Sequence, residues 1–249
     1  MKSIIVANWK MNPPTWREAK QLLEATKKAA NGVKADIIVA PPSIFLRELR
    51  ASYKGRQLSF AVQNVHTEKM GPHTGEISAQ QAADSGASYA IVGHSERRTA
   101  GETNDDTRRK MMMVVAAGMV PILCVGELTR TQNADHLRFI KEQLQAGLAD
   151  VSAAKLSKVL IAYEPLWAVG GSEAIEPRQM HEMAIFIRKT LVESHGEMAH
   201  KVRILYGGSI DAGNAAGMLE GGDVVGLLVG RASVDAMQFS SLLRAIQQA

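Results

Sequence analysis

Eight short apolar runs punctuate the chain: Ser3–Ala7, Asp36–Ala40, Ser59–Gln63, Tyr89–Gly93, Val120–Val125, Val159–Tyr163, Val202–Tyr206 and Gly226–Val229. Most are nearly continuous in hydrophobic residues and do not alternate with polar ones. Strands covered on both faces, as in parallel sheets, look like this. Between the runs lie segments with helical spacing. Thr15–Asn31 carries its apolar residues on one stripe and ends before Gly32, a natural C-cap position. Asn104–Ala117 opens with Asp105 and Asp106, which suit a helix N-terminus, and stops at Gly118. Asn133–Ala146 stops at Gly147. Pro177 fits the first turn of a helix running to about His195, and Asp235–Gln248 closes the chain.

Strand followed by helix, repeated eight times, predicts an α/β protein, a (β/α)8 TIM barrel with eight parallel strands surrounded by helices. One such barrel takes about 250 residues, so residues 1–249 read as a single barrel domain. No linker, low-complexity tract or shift in composition divides them. The competitor is an open doubly wound sheet. It usually brings a nucleotide fingerprint, and the sequence contains neither G-x-G-x-x-G nor G-x-x-x-x-G-K-[ST]. The longest stretch without an apolar period is Asn64–Ser78, tipped by Gly71-Pro72-His73-Thr74-Gly75. Long loops in compact domains are usually functional, and this one suits a partner-binding arm.

Composition narrows the class. Hydrophobic residues make up 46% of the chain, enough for a full core. The lone Cys124 has no internal disulfide partner, which points to a reducing compartment. Lys2 is followed by too short an apolar run for a signal peptide, and no apolar stretch approaches the roughly 18 residues of a membrane span. A soluble cytoplasmic protein is expected, with no membrane partner. The net charge of +4 permits nucleic-acid binding without arguing for it. Arg97-Arg98 and Arg108-Arg109-Lys110 are short clusters set among Glu96, Glu102, Asp105 and Asp106, not a basic face. A mild positive field helps steer a small anion.

Barrel active sites form at the C-terminal ends of the strands. Those ends read Asn8-Trp9-Lys10, Gln63-Asn64, His94-Ser95-Glu96-Arg97, Gly126-Glu127, Glu164, Gly207-Gly208-Ser209 and Gly230-Arg231. Taken alone, each has a bland reading: a solvated Glu, a structural His, a surface Lys, a glycine turn. Their convergence on one rim is what carries weight. The two glycine-rich segments expose backbone N–H groups where barrels often hold a phosphate. Lys10 adds a fixed positive charge. In a dry site Glu164 can take a proton from a carbon next to a carbonyl, and His94 can polarise the carbonyl oxygen. The set suggests a small phosphorylated sugar undergoing proton transfer between adjacent carbons.

Asn8-Trp9-Lys10-Met11-Asn12, Gly93-His94-Ser95-Glu96-Arg97-Arg98, Cys124-Val125-Gly126-Glu127, Ala162-Tyr163-Glu164-Pro165-Leu166-Trp167-Ala168 and Tyr206-Gly207-Gly208-Ser209 resemble the triosephosphate isomerase family, in the right order along nearly the whole chain. Gln63-Asn64 and Thr74-Gly75-Glu76-Ile77-Ser78 fit as well. The resemblance implies interconversion of dihydroxyacetone phosphate and D-glyceraldehyde 3-phosphate through an enediolate. Glu164 would be the base and His94 a neutral electrophile, a pairing for which this family is itself the standard illustration. Asn8 and Lys10 would contact substrate, with Glu96 behind them. The amides of Gly170, Ser209, Gly230 and Arg231 would hold the phosphate, and Pro165 to about Ala174 would close as a lid. No cofactor and no metal is implied. A homodimer is, with the Asn64–Ser78 loop inserted into the partner and Thr74 near the partner's site. Three rival readings remain: an aldolase using Lys10 as a Schiff-base nucleophile, an isomerase of a longer phosphorylated keto-sugar, and a non-catalytic barrel.

Several positions depart from the family pattern. Gly171-Ser172-Glu173-Ala174-Ile175 alters the lid and suggests altered closure. Arg231 stands where the family has a second glycine, so its side chain must point away from the phosphate or grip it. Val225 replaces a frequent acid, which leaves a helix arginine such as Arg188 expected to lose an ionic partner. Pro13 stiffens the exit of the first strand, and Pro72-His73 is atypical for the arm. Met111-Met112-Met113 reads as packing, and Cys124 as buried and structural.

Overall fold

In the computed structural model, which describes residues 2–130, 133–168 and 174–248, the apolar runs form eight parallel strands. They are β1 Ser3–Asn8, β2 Ala35–Ala40, β3 Leu58–Val62, β4 Tyr89–Val92, β5 Val120–Val125, β6 Leu160–Tyr163, β7 Arg203–Tyr206 and β8 Gly226–Val229. Each boundary lies within one residue of its sequence expectation. The strands pair in chain order, and β1 pairs with β8, so the sheet closes into a barrel.

Closure explains the unbroken hydrophobicity. Along β1, Ile4 and Val6 pack inside the barrel with Ile38, Ile91, Ile122, Leu160 and Leu205. Ile5 and Ala7 point the other way, into the layer between strands and helices. Strand side chains alternate between faces, but here both faces are dry, so the alternation is invisible in polarity.

The helices are α1 Trp16–Ala30, α2 Ser43–Ser52, α3 Ala79–Asp84, α4 Ser95–Thr99, α5 Asn104–Ala116, α6 Asp135–Leu148, α7 Ala153–Leu156, α8 Pro177–His195, α9 Ala215–Gly221 and α10 Ala236–Gln248. The Thr15 hydroxyl caps α1 by accepting from the Glu18 amide at 3.3 Å. Ala19, Leu22, Leu23, Thr26 and Ala30 of that helix form its buried stripe. Thr103 and Asp106 form a reciprocal capping box at the start of α5. Pro177 opens α8 as expected. The end expected at Gly147 is corrected: α6 runs through it to Leu148. A Cβ on Gly147 would lie 2.8 Å from Cδ2 of Leu123 on β5. That glycine serves close helix–strand packing, not a C-cap.

A second correction concerns Arg188. It keeps an acidic partner despite Val225, with Nη2 at 3.8 Å from Oδ2 of Asp223. Asp223 adopts a left-handed backbone (φ 53°), and the acid two residues before Val225 meets the arginine. The Arg188 guanidinium also donates to the His200 carbonyl at 3.2 Å. Among the described residues no helix is long and apolar enough to cross a membrane.

Candidate active site

The inward half of the strand period continues past the barrel into its mouth. Val6 inside leads to Asn8, Ala61 to Gln63, and Ala162 to Glu164. On β7 the same step leads from Leu205 to Gly207. A Cβ on Gly207 would lie 2.9 Å from Cγ of Glu164, so the glycine leaves the carboxylate its space. His94 reaches the same place by a turn. Gly93 has φ +73°, which residues with side chains rarely adopt, and it breaks the strand's alternation. His94 thereby becomes the N-cap of α4.

Asn8, Lys10, His94, Glu164, Ser209, Gly230 and Arg231 border one cleft of about 370 Å³. Glu164 is 2% exposed and His94 6%. The Glu164 Oε1 lies 3.1 Å from the His94 Nε2, and Oε2 accepts from the Ser95 amide at 2.9 Å. The His94 Nδ1 accepts from the Glu96 amide at 3.2 Å. That bond assigns the ring proton to Nε2, the nitrogen facing Glu164 and the cleft.

Lys10 is fixed at three points. Its backbone is left-handed (φ 52°), and its amide donates to Asn8 Oδ1 at 3.1 Å. Its carbonyl accepts from Gln63 Nε2 at 2.8 Å, an amide that also donates to the Ala40 carbonyl. Its Nζ lies 2.7 Å from Glu96 Oε1. Partial burial raises the Glu96 carboxyl, but the Lys10 hydrogen bond and charge, with His94, outweigh this and hold it below its ordinary value. Glu96 thus stands behind Lys10. Cys124 is fully buried beneath the site, and burial, reinforced by the Glu164 carboxylate, pushes its thiol well above the ordinary range. Gly170 lies outside the described residues, as do Gly171, Ser172 and Glu173 of the lid.

Sequence reasoning passed over two features of this rim. One is the bridging role of Gln63, whose signal was an amide at an inward position. The other surrounds Glu127, which is 1% exposed. Its Oε1 accepts from the Tyr163 hydroxyl at 2.8 Å, from the Trp167 indole at 3.0 Å and from Arg130 Nε at 3.0 Å. Burial, with the Glu127 carboxylate adding to it, pushes the Tyr163 phenol upward, so it stays a donor. This cluster holds the turn Leu166–Ala168 where the chain leaves β6. On the far side of the lid, the Ile175 amide donates to the Tyr206 hydroxyl at 3.3 Å. The Asn64–Ser78 arm is pinched at its base by the bond from the His66 amide to the Ile77 carbonyl (2.8 Å), and Thr74 is exposed near its tip. Among the described residues no three or more His, Cys, Asp or Glu side chains gather as a metal-binding group.

Comparison with known proteins agrees along the whole chain. The family model for triosephosphate isomerase matches residues 3–246. The chain is 41% identical over 246 residues to the triosephosphate isomerase of Endomicrobium trichonymphae, covering 98% of each chain. It is 40% identical over 241 residues to that of Treponema denticola, covering 96% of each. The crystal structure of triosephosphate isomerase from Bartonella henselae superposes with a TM-score of 0.87 at 31% identity, over 98% of this chain and 99% of that one.

Proposed function

We propose, from the premise that this chain belongs to the triosephosphate isomerase family, that its cleft interconverts dihydroxyacetone phosphate and D-glyceraldehyde 3-phosphate through an enediolate. The observation that carries the reading is the meeting of Glu164 and His94 Nε2 at 3.1 Å, beside Lys10 and two glycine-rich strand exits. The two side chains engage each other at the cleft. A substrate carbonyl placed against Nε2 takes over its N–H and frees a Glu164 oxygen. That oxygen removes a proton from the carbon beside the carbonyl, while the neutral imidazole donates to the carbonyl oxygen. Passage of the hydroxyl proton from one oxygen to the other, relayed by the imidazole, and return of the carbon-bound proton to the neighbouring carbon complete the isomerisation. Lys10 stabilises the negative charge of the enediolate. The amides of Ser209, Gly230 and Arg231, joined by Gly170 of the lid, hold the phosphate.

Against the aldolase reading, Lys10 Nζ is engaged by Glu96 Oε1 at 2.7 Å. The test is a coupled assay with glyceraldehyde 3-phosphate on the wild-type chain; absence of turnover refutes the assignment. We read residues 1–249 as one catalytic domain of a cytoplasmic homodimer, with the Asn64–Ser78 arm reaching into the partner and Thr74 near the partner's cleft. The exposed Met70 on the arm, with Met11 past β1 and Ile44 in the first turn of α2, supports this. Sedimentation equilibrium tests it, and a monomer at micromolar concentration refutes it.

A further inference from the structure

We infer that Gln143 is a positioning residue for the reaction: its side-chain amide stands in for a missing strand beside Gly126 and so fixes the backbone from which the proposed base Glu164 projects. The inference rests on the triose phosphate reading above and adds to it a residue that does not border the cleft. Gln143 lies in α6 and is 1% exposed. Its Oε1 accepts from the Gly126 amide at 2.8 Å, and its Nε2 donates to the Gly126 carbonyl at 3.1 Å. One side chain thus serves both backbone polar groups of one residue.

Strand pairing explains why an amide is needed there. In a parallel ladder one residue turns its N–H and C=O to one neighbour, and the next residue turns both to the other. Val125 and Glu127 face β6, where their carbonyls accept from the amides of Glu164 at 2.8 Å and Leu166 at 2.9 Å. Cys124 and Gly126 face β4. That strand makes its last pairing between Val92 and Leu123, and the chain turns away at Gly93 (φ +73°). Arg98 Nη2 reaches the Cys124 carbonyl at 3.4 Å. Gln143 covers Gly126 with one acceptor and one donor, as a further strand residue would, and spares it two unpaired buried groups. The consequence falls on Glu164. Gly126 packs on it so closely that a Cβ at position 126 would overlap the Glu164 carbonyl. The Glu164 backbone is therefore held by Val125 through its amide and by Gly126 through its carbonyl, and Gln143 backs Gly126 from the opposite side. Without that backing Gly126 is free to tilt, and Glu164 shifts with it. A displacement of about 1 Å in a reacting group costs up to about a hundredfold in rate. The proposed phosphate amides leave β7 and β8 and do not depend on this support.

The experiment compares Gln143→Leu and Gln143→Glu with wild type in the full chain. Two quantities are read: kcat for glyceraldehyde 3-phosphate and the inhibition constant of inorganic phosphate. The Leu variant keeps the bulk and removes both bonds. Its kcat should fall by about tenfold to a hundredfold, with phosphate inhibition within about twofold of wild type. The Glu variant adds a signature that fold support alone does not give. A buried carboxyl resists ionisation, and in its protonated form it can replace the amide, donating to the Gly126 carbonyl and accepting from the amide. Its anion sets an oxygen against that carbonyl. The kcat of this variant relative to wild type should therefore be close to one at about pH 6 and decline towards about pH 9. Thermal melting identifies a variant that has lost its fold, and the Glu series then carries the test if the Leu variant fails. A folded Leu variant with kcat within about twofold of wild type overturns the inference. So does phosphate inhibition that weakens in step with kcat, or a Glu-to-wild-type ratio that stays flat with pH. A wild-type chain that turns over no triose phosphate overturns the underlying reading instead.

Discussion

Glu127 and Glu164 leave neighbouring strands of one barrel, and both carboxylates are almost fully buried. Burial does not distinguish them; their donors do. Glu127 carries a phenol, an indole and a guanidinium on a single oxygen and stands off the cleft. Those donors belong to the protein and have nowhere else to go. Glu164 faces the cleft and holds one backbone amide and one imidazole. In the proposed reaction a substrate carbonyl displaces the imidazole. A buried carboxylate becomes a base when its partners are exchangeable, and a brace when they are not.

Substitution on each side should separate these roles. Glu164→Gln keeps the shape and removes the basic oxygen. We expect kcat to fall by about 10²–10⁴-fold, the range for a positioned general base, while inorganic phosphate still competes for the cleft. The coupled assay measures the first and the inhibition constant the second. Near-wild-type turnover in this variant ends the assignment of Glu164 as base. Glu127→Gln should do the reverse. It leaves the part-buried Arg130 without its counter-charge and should destabilise the fold by about 2–4 kcal/mol in urea titration, with kcat reduced less than about tenfold through looser support of Trp167. A large kcat loss without destabilisation would place Glu127 among the reacting groups and erase the contrast.

This distinction was only half legible in the amino-acid sequence. The strands could be read because a closed barrel dries both faces, so eight apolar runs emerge with sharp ends. The candidate site side chains followed, since a polar residue immediately after such a run faces the mouth. Short helices such as α7 and α9 went unbounded, because four to seven residues rich in Ala and Gly show too little period. Gly147 was misread, since a glycine chosen for close packing looks like one chosen for a turn. Arg188 was misjudged because its partner comes from a backbone turn at Asp223, not from the expected position. Glu127 and Glu164 look alike in sequence, because the donors that separate them come from other strands and loops.

Cys124 sharpens the comparison from beneath. It is buried against Glu164, and its thiol is held well above the ordinary range by burial first and that carboxylate second. Iodoacetamide at pH 8 should leave it unmodified in the native chain and alkylate it fully in urea, as mass spectrometry would read. Rapid native labelling would mean that the floor of the site opens, and Glu164 would then not sit in the dry pocket its role requires.

Glu96 is a third rim carboxylate and the smallest test. Its side chain is 59% exposed, and Lys10 holds its carboxyl below the ordinary value of 4.5. A group depressed on folding stabilises the native state above its unfolded value and loses that contribution as pH falls through the lower native one. The Lys10–Glu96 pair should therefore help at pH 6 and fade below about pH 4. Solvent screening at such exposure keeps the contribution under about 1 kcal/mol. Urea midpoints of wild type and Glu96→Gln should differ slightly at pH 6 and draw together as pH falls below 4.5. A gap that widens on acidification would reverse the sign and mean that Glu96 is governed by burial and not by its lysine.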